Sequence, residues 1–457
     1  MDVLLTHGYF IHEDEKEQAI MRPYPPLGLL YISAYLKRTK LNVEVFDSTF
    51  SSFENLKNLI LKKRPKVLCV YTNLVTKVNV IKLMKWKNSN DELSDIKILL
   101  GGPDVTYNYE NYLNVGADAL AVGEGEETCQ EWCEAILTNS DISAINGLVY
   151  KVEGKIVKNP PRIKVKNVDD LPQPDRAAID LKKYIDVWKE KHGKSTISIS
   201  TQRGCPYTCK WCSTAVYGMS YRRRSASLVA DEIEAIIRDY NPDSLWFVDD
   251  VFTVSHKWIT ALHAEFVKRG IKIGFECITR AERLNDEVLT QLKEMGCEKI
   301  WIGAESGSQR IIDEMDRRVD IDMVKEMIIR TKSFGIQTGT FVMVGYPKET
   351  IEDIELTVAY LKAAAPDNYT ITIAYPIVGT GLHTQIKSDI LNPDLDWQST
   401  TDRDIDFKRS YSRGYYDHAV RYVVNAVAEH INKEQGKPWF KNYVKAKVSR
   451  TIMRFKS

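Results

Sequence analysis

The sequence predicts an α/β chain in two parts, a doubly wound Rossmann-like sheet and then a partial (β/α)6 barrel, with a C-terminal helical region. Three observations carry that prediction. Short apolar runs alternate with segments whose apolar residues return every three or four positions, the pattern of strand–helix alternation in a parallel sheet. The alternation occurs twice, on either side of the Pro-containing stretch "NPPRIKVKNVDDLPQPDR". It stops near residue 392, beyond which only helical spacing remains. The parts read as 1–150, an extended linker over 151–194, then 195–391 and 392–457.

Composition excludes several classes. The 457 residues are 44% hydrophobic, as in a globular chain. A formal net charge of +1 gives no electrostatic reason to expect a nucleic-acid partner. No apolar run reaches the ~18–20 residues needed to cross a bilayer. The start, "MDVLLTHGYF", lacks the basic n-region and cleavage site of a signal peptide. Eight cysteines, three of them clustered, are unlike a secreted disulfide framework and predict a reducing cytoplasm.

In the first part, strands are expected at 3–6, 43–47, 67–71, 96–100 and 119–122, with amphipathic helices such as 27–38 and 53–63 between them. Ligands of such folds bind beyond the carboxyl ends of the strands. There the sequence places "YTNLVTK", with Tyr71, Thr72, Asn73 and Thr76. It also places "GGPDVT", with Gly101 and Gly102, and "VGEGEET", with Gly123, Glu124 and Gly125. Any one of these could be an ordinary turn; three at one sheet edge mark a binding edge. Neither GxGxxG nor a P-loop occurs, which argues against a dinucleotide and ATP.

"PPLGLLYISAYLK", "GGPDVT" and "GADALAVGEGEET" together resemble the cobalamin-binding domain that precedes many radical S-adenosylmethionine enzymes. The resemblance implies a cobalamin whose nucleotide tail lies along Gly101 and Gly102 and whose lower corrin face rests on the 71–76 turn. Relatives with a histidine on cobalt carry Asp-x-His-x-x-Gly after the first strand. That motif is missing, so no histidine ligand is implied, and His7 and His12 read as ordinary polar or core residues. "DDLPQPD" also resembles the family's linker.

In the second part, strands are expected at 196–200, 244–248, 272–277, 299–303, 337–342 and 369–374. Helices are expected at 227–238, 257–268, 286–295, 321–334 and 351–364. Six units are too few to close an eightfold barrel, so the barrel is open, with its site at the carboxyl ends of the strands. Directly after the first strand stands "RGCPYTCKWCSTAVYG", holding Cys205, Cys209 and Cys212. The spacing matches no zinc pattern of paired knuckles. Three thiolates on a 4Fe–4S cluster would leave one iron open.

This spacing resembles the signature of the radical S-adenosylmethionine superfamily. The resemblance implies that the amino and carboxylate groups of S-adenosylmethionine chelate the open iron, and that an electron from the cluster cleaves the sulfonium to a 5′-deoxyadenosyl radical. It further implies an aromatic wall at Trp211 and an amino-group partner at Asp249 in "FVDD", where a helix N-cap is the competing reading for Asp250. Arg280 in "CITRAERL" suits a carboxylate. Glu305 and Ser306 in "IGAESGSQ" suit ribose or amino-acid contacts, and Tyr375 in "AYPIVGTGL" stands on the adenine or substrate side.

Other features have blander readings. Cys129 and Cys133, one helical turn apart, read with Cys69 and Cys297 as small buried apolar residues, and Cys277 reads as packing. "YRRRS" is a contact to a nucleotide tail or an acidic substrate, or a solvated face. A helix is expected over 417–433. The end, "WFKNYVKAKVSRTIMRFKS", reads as a helical cap on the open barrel, and its basic residues among Trp439, Phe440, Ile452 and Phe455 also suit peripheral contact with an anionic membrane.

The function expected is methyl transfer from methylcobalamin to an unactivated carbon by a cobalamin-dependent radical enzyme, using a 4Fe–4S cluster and S-adenosylmethionine. The partners expected are a small-molecule or peptide substrate and an external electron donor of flavodoxin or ferredoxin type. The alternatives are a radical cyclase or ring-rearranging oxidoreductase, and a non-catalytic cobalamin-binding sensor, against which the intact Cys205, Cys209 and Cys212 argue.

Overall fold

A computed structural model describes residues 1–213 and 217–456, and they form two compact units. The first comprises Met1–Pro206, Ser213–Ser244 and Asp396–Thr401; the second comprises Tyr207–Cys212, Leu245–Leu395 and Asp402–Ser457.

The first unit is built on strands β1 (Val3–His7), β2 (Val43–Phe46), β3 (Val67–Tyr71), β4 (Lys97–Gly101), β5 (Ala119–Ala121), β6 (Leu148–Val152) and β7 (Lys155–Lys158). They form one sheet in the order β2-β1-β3-β4-β5-β6-β7. The first five pair in parallel; β6 and β7 add an antiparallel edge. Period-two alternation sends Leu4, Leu68, Ile98 and Leu120 into one core. It sends Val3, Leu5, Val67, Cys69 and Leu99 into the other. Helices on both faces explain the continuously apolar strands.

The stretch 151–194 is not wholly an extended connector. Its start closes the β6–β7 hairpin, with Glu153 at φ 46° and Gly154 at φ 79°, the left-handed pair of a primed turn. Its end forms a helix, Leu181–His192, that buries Leu181, Tyr184, Ile185 and Trp188. Strand β8 (Thr196–Ile199) and the short antiparallel pair β9 (Gln202–Arg203) and β10 (Arg222–Arg223) follow.

A six-stranded sheet contains β8, β11 (Ser244–Phe247), β12 (Gly274–Thr279), β13 (Cys297–Glu305), β14 (Gln337–Val344) and β15 (Asn368–Ile373). Strands β12 to β15 pair in parallel in chain order. Helices return the chain after each strand, and several of their starts carry side-chain caps. Asn285 accepts from the Val288 amide at 2.9 Å, and Thr350 and Asp353 form a capping box. At the C-terminus, helix Arg413–Glu434 packs on β14, β15 and helix Ile351–Ala364, and helix Phe440–Lys456 packs on it in turn.

Candidate functional site

In the second unit the turns after β11 to β15 lie at one sheet edge, because the strands are parallel. The cysteine-bearing segment Tyr207–Cys212 is stitched down by its backbone. Lys210 N donates to Met315 O at 3.1 Å, and Leu382 N donates to Lys210 O at 2.7 Å. Lys210 Nζ reaches Glu314 O at 3.0 Å. Trp211 packs against the apolar cluster of Ile311, Met315, Tyr346, Leu382, Ile386 and Phe407, so its ring anchors the segment.

Arg280, buried after β12, is the segment's main polar support. Nη1 donates to Cys209 Sγ at 3.6 Å, Nη2 to the Arg317 carbonyl at 2.5 Å, and Nε to Glu282. The guanidinium also lies 4.0 Å from the Tyr207 ring centroid. Burial pushes the Cys209 thiol up, against the pull of Arg280. The sequence offered Arg280 to a ligand carboxylate; here its donors are turned to the cysteine loop.

Glu305 ends β13 where the register shifts between Gly303 and Glu305, and it adopts φ 71°. A non-glycine residue held in the left-handed region at a bulge stores strain of the kind that collects at binding sites. Desolvation pushes its carboxyl up to about 8, with Arg280 opposing. Ser306 is fully buried, and its hydroxyl lies 3.3 Å from Thr357 Oγ1 and accepts from Ser308 N at 3.1 Å. It therefore holds the turn. Asp249 is buried after β11 and Tyr375 is half-buried after β15. The helix after β11 starts at His256 with Ser255 as its cap, so neither Asp249 nor Asp250 is an N-cap.

In the first unit, Cys205 is buried behind Gly204. Gly204 has φ 80°, and a Cβ there would meet Ser220 O at 2.4 Å. Arg203 pairs with Glu126 and lies between the rings of Tyr31 and Tyr217, 5.6 and 5.3 Å from their centroids. Glu124 accepts from Arg222 at 2.7 Å and from Val165 N at 2.7 Å, and lies 3.5 Å from Arg203. A carboxylate so occupied is not a free ligand group; it braces the turn after β5 against the strand that leads into the cysteines. The basic run is likewise turned inward: Arg223 donates to Thr201 at 2.8 Å and Arg224 to Glu232.

The β3 and β4 turns build the other edge. Gly102 has φ 111°, and a Cβ there would lie 2.3 Å from Thr72 O and 3.0 Å from the Tyr71 ring. Only glycine lets these two turns close. Asn73 and Thr76 are tied reciprocally, Thr76 N to Asn73 Oδ1 at 3.0 Å and Asn73 N to Thr76 Oγ1 at 2.9 Å. Cβ positions at Gly101 and Gly123 meet nothing within 4 Å, whereas Gly125 lies 3.5 Å from Ile32. Thr72 Oγ1 lies 3.2 Å from Tyr112 OH, and Tyr112 donates to Asp104. Trp397, on the returning segment Asp396–Thr401, stands edge-on to Tyr112 at 4.7 Å and 4.6 Å from Lys77 Nζ. His7 is buried with Nε2 3.0 Å from Asp47 and Nδ1 accepting from Tyr9 N at 3.2 Å. His12 is exposed.

Comparison with known proteins fits both edges. Residues 20–132 match the B12 binding domain model, and residues 199–361 match the Radical SAM superfamily model. The chain belongs to the cobalamin-dependent radical S-adenosylmethionine family. It is 27% identical over 431 residues to an uncharacterised methyltransferase of Pyrococcus horikoshii, covering 93% of this chain and 89% of that one. It is 26% identical to the anaerobic magnesium-protoporphyrin IX monomethyl ester cyclase of Rubrivivax gelatinosus, covering 82% and 68%. Among solved structures it resembles the cobalamin-dependent S-adenosylmethionine radical enzyme OxsB with aqua-cobalamin and S-adenosylmethionine bound. The TM-score is 0.78 at 15% identity, over 99% of this chain and 72% of that one, a likeness of fold.

As a member of this family the chain is an enzyme that uses a 4Fe–4S cluster, S-adenosylmethionine and cobalamin, and its residues fit them. The donor set Cys205, Cys209 and Cys212 is all thiol, grades from buried to exposed, and belongs to no disulfide. On the glycine edge of the first unit Gly101 and Gly123 leave open space, and among the described residues the buried hydroxyl of Thr106 and the indole N–H of Trp397 have no hydrogen-bond partner. Orphaned polar atoms of this kind are what a polar cofactor would satisfy. Both nitrogens of His7 are engaged within the protein. Sequence reasoning missed Thr106, Tyr112, Lys77 and Trp397. The "GGPDVT" motif itself contains Thr106, but nothing local announces Trp397, which returns from 285 residues beyond Tyr112 (397 − 112).

Proposed function

We propose that this chain transfers a methyl group to an unactivated carbon of a small-molecule or peptide substrate. The observation that carries the reading is that one chain holds both a three-thiol loop braced by Arg280 and, on another sheet, an open glycine edge with unpartnered Thr106 and Trp397. The relative that spans 93% of this chain is named a methyltransferase, which favours methyl transfer over cyclisation. Bound at these residues, the cluster with S-adenosylmethionine supplies one-electron cleavage and cobalamin supplies a methyl carrier.

The chain's own residues bind and orient. Cys205, Cys209 and Cys212 are the iron ligands, with Arg280 as the donor that tunes Cys209. Asp249 accepts from the amino group of S-adenosylmethionine, and Glu305, poised near neutrality, accepts from a ligand ammonium or ribose hydroxyl. Ser306 and Trp211 act by fixing the turns that carry these groups, and Tyr375 faces adenine or substrate. Tyr71, Thr72, Asn73 and Thr76 would hold the corrin. Gly101, Gly102, Gly123 and Gly125 admit the nucleotide tail, with Glu124 bracing their turn. An external flavodoxin- or ferredoxin-type donor supplies the electron in a reducing cytoplasm, in keeping with eight cysteines of which none forms a disulfide.

With methyl-deuterated S-adenosylmethionine, label must enter the product, and both S-adenosylhomocysteine and 5′-deoxyadenosine must accumulate. Product without label marks a cyclase. Cobalamin binding without 5′-deoxyadenosine marks a sensor.

A second observation bears on where the enzyme works. Helix Phe440–Lys456 buries Ala446, Ser449 and Met453 and has no acidic residue. Its exposed Phe440, Val444, Val448 and Phe455 fall within an arc of about 80° at 100° per residue, flanked by Lys441 and Lys445 on one side and Lys447 and Arg454 on the other. We propose that this stripe rests on an anionic bilayer, with the cations at headgroup level. Among the described residues no helix is long and apolar enough to cross a membrane, so the contact is peripheral. The enzyme should float with phosphatidylglycerol vesicles and not with phosphatidylcholine vesicles, and V448D/F455D should abolish flotation. Equal flotation of the variant overturns the proposal.

A further inference from the structure

Three thiols outside the proposed iron site meet in the core of the first unit. Cys69 lies on β3; Cys129 and Cys133 lie one turn apart on helix Glu126–Thr138. Cys69 Sγ is 3.5 Å from Cys129 Sγ and 3.8 Å from Cys133 Sγ, and all three lie within 4.8 Å of one another. The three side chains are buried among Val3, Leu5, Val67, Leu99, Trp132 and Leu148. A metal–thiolate bond of about 2.3 Å places three sulfurs about 4.0 Å apart around a trigonal ion, and about 3.8 Å apart at three corners of a tetrahedron. The 3.8 Å separation lies within about 0.2 Å of both values, and the 3.5 Å separation within about 0.5 Å.

The geometry points to a trigonal site for one copper(I) ion held by Cys69, Cys129 and Cys133. The donor set selects the ion. Three soft sulfurs suit copper(I), whereas zinc takes a fourth ligand, and among the described residues no fourth cysteine, histidine, aspartate or glutamate joins the group. A second iron–sulfur cluster does not fit, because its thiolates bind different irons and stand farther apart than these. Binding displaces two of the three thiol protons to water, and the ion keeps its oxidation state. Cys129 stands at the start of its helix, where the positive end of the helix dipole favours thiolate. Two thiolates and one thiol around copper(I) leave a single negative charge, which limits the cost of burying it.

The test uses the full chain with C205A, C209A and C212A, which removes the proposed iron ligands, under anaerobic titration with copper(I) against bicinchoninate. One copper(I) per chain should bind, with X-ray absorption showing three sulfurs at about 2.3 Å and no nitrogen or oxygen. C129S should weaken binding at least about 100-fold, while C277S and C297S leave it unchanged. If C129S fails to fold by circular dichroism, the sulfur count on the parent decides. No binding, a mixed nitrogen or oxygen shell, a preference for zinc, or a two-dalton mass loss from a Cys69–Cys129 disulfide would each overturn the proposal.

Discussion

Cys205, Cys209 and Cys212 stand within eight residues and grade from buried to exposed, whereas Cys69 and Cys129 are 60 residues apart and meet, with Cys133, inside a core. In the loop, Cys209 is held by a polar scaffold: Arg280 reaches its sulfur, and carbonyls and amides of 314–315 and 382 hold the neighbouring Lys210. In the core, the sulfurs meet one another among apolar side chains. The difference teaches how thiols are assigned to chemistry. A redox-active ligand set needs an approach for substrate and donors that tune it; a dry set can trap only an ion that needs neither.

Substitution should separate the two sets most sharply. C212A should abolish iron loading and 5′-deoxyadenosine formation while leaving the thermal midpoint of apo protein unchanged, because Cys212 is exposed and supports no core. C133A should do the reverse, leaving iron loading intact and costing roughly 1–3 kcal/mol in denaturant unfolding. If C133A lost iron, the two sets would not be independent. Next in size, R280M should lower 5′-deoxyadenosine formation about 10- to 100-fold and shift the cluster's reduction potential, with R280K recovering part of both. G102A should weaken cobalamin retention without touching iron content, at a cost of roughly 1–3 kcal/mol for the strained φ and the contact with Thr72.

The smallest effect concerns pH. Glu349 is fully buried, its carboxyl accepts from Gly345 N, and burial holds its pKa at about 8 against an ordinary 4.5. Between those values the folded chain binds a proton that the unfolded chain has released, so stability falls as pH rises from about 4.5 to 8. E349Q removes the proton without removing the acceptor. The melting temperature of the parent should therefore drop by about 5 °C more than that of E349Q across this range. A parallel decline would show that other groups set the pH response.

Strands, helices and the loop thiols were legible because each is a local signal: apolar periodicity, caps, or three cysteines in a short span. Strand β3 and helix Phe53–Lys63 fall at the expected bounds, and the other expected strand starts agree to within two residues. Hairpin β6–β7 was missed although Glu153-Gly154 is a turn signal, because the prolines after it suggested extension throughout. Pairings across long separations were not legible. Arg280 meets a sulfur 71 positions away, and Arg203 meets Glu126 across 77. No spacing rule links such residues; only the fold brings a cation to a carboxylate that needs it. The inward turn of "YRRRS" has the same origin, since Glu124 and Glu232 are what make those arginines structural.

Segment Asp396–Thr401 belongs to the first unit although about 150 residues of the second precede it in the chain. During synthesis, therefore, the first unit cannot complete its packing around Tyr112 until Trp397 has left the ribosome. A fragment ending near residue 150 would emerge with Tyr112 and Lys77 lacking the indole ring of Trp397.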